Sequence, residues 1–136
     1  MKAFRLVLLA GLVLTLVTAC GGGGPVGVAK EWVKASAGSD GATALKLTCW
    51  QYREEVQMGG FMTAAFGLLV GIDTEGAKVD LSDLKFSTTS QSGDTATVHV
   101  SGEIIVSLLG AAMPQELDMN LRMVKEDGAW RVCGAE

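Results

Sequence analysis

The stretch LDMNLRMVKEDGAWRVCG, Leu117 to Gly134, decides the fold. Leu117, Met119, Leu121 and Met123 alternate with Asp118, Asn120 and Arg122, the period of a strand with one buried face. Asp127-Gly128 then supplies two residues that tolerate the positive φ angles of a tight hairpin. The chain returns through Trp130-Arg131-Val132-Cys133 as a second strand. One detail resists a regular strand. Strict alternation places Trp130 and Val132 opposite Cys133, so a bulge or strand end near Val132 is needed if all three turn inward.

Upstream, the same period recurs. Leu84, Phe86 and Thr88 alternate with Lys85 and Ser87, and Ser92-Gly93-Asp94 turns the chain. Ala96, Val98 and Val100 follow, and the strand continues through Ile104, Val106 and Leu108 with Gly102 at a bend or bulge. Leu108 to Pro114 reads as an apolar connection where a polar turn is expected. Before Asp73-Thr74-Glu75-Gly76 the period is helical. Pro25 opens a helix with Val28, Ala29, Trp32, Val33 and Ser36 on one side and Lys30, Glu31 and Lys34 on the other. Ser39 or Asp40 caps a second helix carrying Ala42, Leu45, Cys49 and Tyr52, with Trp50 off that stripe at a rim. Residues 53–70 form a third helical region broken at Gly59-Gly60. Its nearly uncharged second half suits a buried or interfacial helix better than a membrane span, and the spacing of Gly67 and Gly71 is read as incidental packing. Helices followed by an antiparallel four-stranded meander make an α+β domain.

The amino terminus has a different character. Lys2 and Arg5 precede an apolar run from Leu6 to Val17, followed by Thr18-Ala19-Cys20, the layout of a secretory signal peptide. Val17-Thr18-Ala19-Cys20 resembles the lipobox of bacterial lipoproteins. That resemblance implies cleavage before Cys20 and a lipid on its thiol. The expected organisation is therefore a signal peptide over residues 1–19, a lipidated Cys20 with a glycine tether over 20–25, and one domain over 26–136. The tether spans only about 10–14 Å as a flexible chain, so the domain is expected close to the membrane, outside the cytoplasm. Gly21 implies the outer membrane if the host has two.

Composition narrows the function. Of 136 residues, eleven are Lys or Arg and fifteen Asp or Glu, for a net charge of −4. Loss of Lys2 and Arg5 with the leader brings the charge to −6. An acidic chain with no basic cluster is a poor partner for nucleic acid. Cys49 and Cys133 remain after lipidation, and in an oxidising compartment an even pair is readily a disulfide. Two separate buried thiols are the alternative; a metal site would need neighbouring Cys or His ligands, and the single His99 stands apart. No metal and no cofactor is expected. The usual motifs of serine hydrolases, zinc proteases and phosphate-binding loops do not occur.

SGDTATVHVSG (Ser92–Gly102) and LRMVKEDGAWRVCG (Leu121–Gly134) together resemble the nuclear-transport-factor-2-like, or cystatin-like, superfamily. The resemblance implies a cone: N-terminal helices packed on a curved sheet, with a pocket between the layers. It also implies that Cys49 faces Cys133. Expected pocket-lining residues are Phe61, Met62, Phe66, Phe86, Val98, Val100, Met119, Leu121 and Met123. Enzymes of that superfamily place carboxylates, Tyr or His in the pocket, yet the inward sheet face here carries no charge. His99, Asp118, Asn120 and Arg122 fall on the opposite phase, and no catalytic residue is assigned. The expected function is a non-enzymatic, membrane-tethered module that binds an apolar small ligand or an envelope protein. The alternatives are a structural domain, homodimeric through its sheet with a filled pocket, and a dehydratase- or isomerase-type enzyme using Tyr52 and Glu54.

Overall fold

A computed structural model describes residues 24–38, 40–59 and 78–136. The expected signal peptide over residues 1–19, Cys20, Phe61, Met62 and Phe66 lie outside the described residues. Helix α1 (Pro25–Ala37) starts on Pro25 at its first position, where the missing N–H is no loss. Pro25, expected at the end of the tether, is thus the first residue of the helix. Helix α2 (Gly41–Lys46) is capped by Asp40, whose carboxylate accepts from the Thr43 N–H. A single 3-10 turn (Trp50–Tyr52) and a helical run over residues 53–59 follow. Five strands complete the described chain: β1 (Lys78–Asp80), β2 (Lys85–Ser92), β3 (Thr95–Leu108), β4 (Ala111–Glu126) and β5 (Ala129–Ala135).

The result is an α+β domain in which the helices pack on one face of a curled antiparallel sheet, the architecture expected of the cone. The sheet runs β1-β3-β4-β5, with β2 also on β3, so it has one more described strand than expected. The extra one is short. β1 and β2 lie end to end along the same edge of β3, pairing with Ile105–Ser107 and with Thr95–Ser101 respectively. They form one edge strand interrupted at residues 81–84.

The interruption explains Gly102. It sits at φ +135° in β3, and a Cβ built there would run into the carbonyl oxygen of Asp83 and lie 3.2 Å from the Leu84 Cα. The bend predicted at Gly102 is therefore a place where two backbones touch. A second expectation is corrected. Leu108 to Pro114 is not a loop: β3 runs to Leu108, β4 starts at Ala111, and Pro114 pairs with Ile105. Only Leu109 and Gly110 turn, both at positive φ, and Leu109 is 91% exposed.

The inner face is filled. Ala96, Val98 and Val100 of β3, Leu121 and Met123 of β4, and Trp130 and Val132 of β5 pack against Val28, Ala29 and Val33 of α1. Cys133 is also buried, so three residues that alternation cannot place together do share the interior. A β-bulge reconciles them: Met123 faces Val132 whereas Leu121 faces Ala135, leaving one extra residue on β5.

The second helix differs from expectation in length. It ends at Lys46, and Cys49 lies beyond it in extended backbone. The cause is the last strand, which captures this segment: Val132 N–H donates to Leu47 O at 2.8 Å and Cys49 N–H to Val132 O at 2.9 Å. Those bonds form a parallel bridge between Thr48 and Val132. Cys49 and Cys133 close a disulfide across 84 positions, with Cα atoms 5.1 Å apart.

Gly102→Ala is expected to cost about 2–4 kcal/mol, combining backbone strain with the clash against Asp83. Urea unfolding checks it, as a lower midpoint with an unchanged denaturant slope.

Candidate functional site

The interrupted edge strand leaves a seam beside α1. Val79 of β1, Leu81 and Leu84 of the interruption, and Phe86 of β2 supply an apolar floor, each half-buried. Leu84 N–H donates to Leu81 O at 3.1 Å, and Ser82 N–H to the Asp80 carboxylate at 2.9 Å, so a short turn fixes both leucines. From α1, Val33 closes the inner wall, while Lys30 and Lys34, one helical turn apart, stand exposed on the rim. Together these residues enclose an open groove of about 400 Å³. The Lys30 ammonium lies 5.9 Å from the centre of the Phe86 ring, a cation–π arrangement that draws its stem across the floor. Among the described residues, no carboxylate forms an ion pair with either lysine.

Two further depressions flank the helical segment. One, of about 590 Å³, is lined by Ala42, Leu45, Lys46, Trp50, Arg53, Glu54 and Gln57. Trp50 is 75% exposed there, a rim position as expected, with the Arg53 guanidinium 5.7 Å from its ring. It is the larger hollow, walled by the apolar Ala42, Leu45 and Trp50 and by the charged or polar Lys46, Arg53, Glu54 and Gln57. The other, of about 230 Å³, is lined by Gln51, Tyr52, Glu55, Arg122 and the end of β5. Arg122 donates to the Cys133 carbonyl at 2.8 Å, and Gly134 leaves room for its guanidinium.

This layout separates the acid–base pair considered from sequence. Tyr52 opens on the hollow with Glu55 and Arg122, whereas Glu54 opens on the one with Trp50. Of the described pocket-lining candidates, Val98, Val100, Leu121 and Met123 are fully buried in the packed core. Met119 packs against that core from its margin. Only Phe86 lines one of the three hollows. The reason is the bulge in β5, which turns both Val132 and Cys133 inward and lets side chains fill the space between the layers. His99 lies on the outer face, its Nδ1 3.0 Å from Asn120 Oδ1 and its Nε2 3.7 Å from an Asp118 oxygen. Among the described residues, no three His, Cys, Asp or Glu side chains converge as metal ligands. The sequence reading placed Lys30 and Lys34 on a solvated helix face. Their spacing was visible; the strand interruption beneath them was not.

No protein-family profile and no characterised protein sequence matches the chain. Solved structures do. A SEC-C motif containing protein from Rhodopseudomonas palustris superposes with a TM-score of 0.60 at 17% identity, over 85% of this chain and 80% of that one. The protein Aln2 from a Streptomyces species gives 0.58 at 13% identity, over 79% and 82%. An NTF-2-like protein of unknown function from Shewanella oneidensis matches over 79% and 90% at 18% identity, but its TM-score of 0.43 carries no weight. At these identities the likeness concerns the fold alone.

Tyr52 is the chain's single tyrosine, which makes it a clean reporter. Burial, and secondarily the charge of Glu55, raise its pKa above the ordinary 10.0. The folded chain then holds the phenolic proton at a pH where the unfolded chain has lost it. That contribution to stability is present below pH 10 and is lost as pH rises through the folded value. Alkaline titration of phenolate absorbance should show a midpoint above 10.0, which Glu55→Gln moves back down.

Proposed function

We propose that this chain is an exported lipoprotein, anchored through Cys20, whose domain is a non-enzymatic module that holds an apolar ligand in the groove between α1 and the edge strand. The observation that carries the reading is the groove's floor: four half-buried apolar side chains facing an open volume of about 400 Å³. Small-ligand sites fall in the range of about 300–1,000 Å³ and are mostly apolar with a few polar groups at the margin. The Cys49–Cys133 disulfide agrees with an oxidising, extracytoplasmic compartment. The lipobox resemblance of Val17–Cys20 supports the anchor. The enzymatic alternative is weakened by the separation of Tyr52 from Glu54.

Both halves of the proposal are testable in one expression series. The native chain should fractionate with membranes and take up a labelled fatty acid, and Cys20→Ala should abolish the label and release the domain. The released chain should bind the neutral dye Nile red. Leu81→Gln or Leu84→Gln, each placing an unpaired amide in the floor, should weaken that binding roughly ten-fold. Dye binding indifferent to both substitutions would place the ligand elsewhere.

A further inference from the structure

The rim of the groove carries information that its floor does not. Lys30 and Lys34 project from one face of α1 above Val79, Leu81, Leu84 and Phe86. An ammonium pair is an uncommon neighbour for an apolar slot in a chain of net charge −4. Neither cation is neutralised by an ion pair among the described residues. Asp80, the acid of β1, accepts the Ser82 N–H at 2.9 Å. Lys30 is in addition held against the Phe86 ring, so its charge stays where the apolar floor begins.

We infer that the groove takes a single-chain anionic amphiphile, of which a long-chain fatty acid is the simplest. Its alkyl chain lies along the floor and its head group sits between the Lys30 and Lys34 ammonium groups. The inference rests on the ligand-binding reading above and specifies its substrate class. Charge complementarity selects the head: two cations with no ion pair among the described residues meet one anion, and the surplus of acidic residues repels anions from elsewhere on the surface. Size selects the tail. A groove of about 400 Å³ lies near the lower end of ligand sites, which favours one alkyl chain over a two-chain lipid. The lysine stems extend the apolar wall while their heads stay in water, so the site matches an amphiphile at both ends.

The test uses the full chain carrying Cys20→Ala, so that no acyl anchor competes. Nile red bound to the protein is displaced with oleate or with its neutral glycerol ester, in the native groove and in a Lys30→Gln, Lys34→Gln double variant. Oleate should displace the dye at a roughly three- to ten-fold lower concentration than the ester, a preference of the size expected for two exposed charge contacts. The double variant should lose that preference, oleate weakening several-fold more than the ester, with an unchanged circular dichroism spectrum as the check on folding. Added salt should erode the preference in the native chain only. Equal displacement by both ligands would overturn the head-group assignment and leave the groove standing. A preference that survives the double substitution would overturn the role of the two lysines. Dye uptake without displacement by either ligand, or no uptake, would remove the groove as a ligand site altogether. Sedimentation with anionic vesicles that depends on the lysines, without displacement by free oleate, would replace the inference with contact to a lipid surface.

Discussion

Everything in this domain depends on how Thr48 and Cys49 are fastened to Val132 and Cys133. Two backbone hydrogen bonds join the segment after α2 to the last strand, and the disulfide locks the adjoining residue. Thr48 is fully buried and uses its polar atoms on both sides of the joint. Its hydroxyl accepts from Trp32 Nε1 at 3.0 Å and donates to Ala44 O at 2.6 Å, while its carbonyl accepts from Arg53 Nε at 3.1 Å. One residue thus ties α1, α2 and the following helical run to a strand more than eighty positions away. In the chain-entropy model a loop of this length makes the disulfide worth about 4 kcal/mol. Such a crosslink matters because a domain of this size retains only a modest net stability.

The bulge in β5 belongs to the same joint. A regular strand would send Cys133 to solvent whenever Trp130 and Val132 faced the core. The extra residue turns Cys133 inward, and Arg122 binds the carbonyl that the irregularity frees. The filled interior is a consequence. With Val132 and Cys133 both inside, the space between helices and sheet is taken up by Val98, Val100, Leu121 and Met123. The apolar groove lies outside that interior, at the seam where the edge strand breaks over Gly102 beside α1.

Much of this was legible in the sequence, and the reasons differ by element. β4 and β5 were readable because alternation and Asp127-Gly128 agree, and both turn residues do adopt positive φ. Parity called for a bulge or a strand end near Val132 if Trp130, Val132 and Cys133 were all to face inward, and the structure has the bulge. The extent of β3 and β4 was less legible, since Leu109 at φ +51° is a residue that turn chemistry does not favour. The end of α2 was hidden because Leu45, Cys49 and Tyr52 continue a helical spacing that long-range bonds to Val132 override. The groove was hidden for a related reason. Val79, Leu81, Leu84 and Phe86 become one floor only when β1 and β2 align on a common partner, and that is a property of β3.

The outer parts of the sheet differ from the seam in their side chains. Beyond Asn120, which exchanges hydrogen bonds with Glu136, β5 no longer covers β4, so residues 112–118 have only β3 beside them among the described residues. That open edge carries Pro114, Glu116 and Asp118, residues that deny a hydrogen bond or add charge against an incoming strand. The outer face is likewise wet, with His99 bonded to Asn120 beside Asp118. Around the groove the pattern inverts: the floor is of half-buried apolar side chains, and the charges at the rim among the described residues are cations in an acidic chain. The proposed ligand would bury apolar surface there and meet the two lysines without opening the core or parting the joint at Cys49, so binding and stability would rest on different residues.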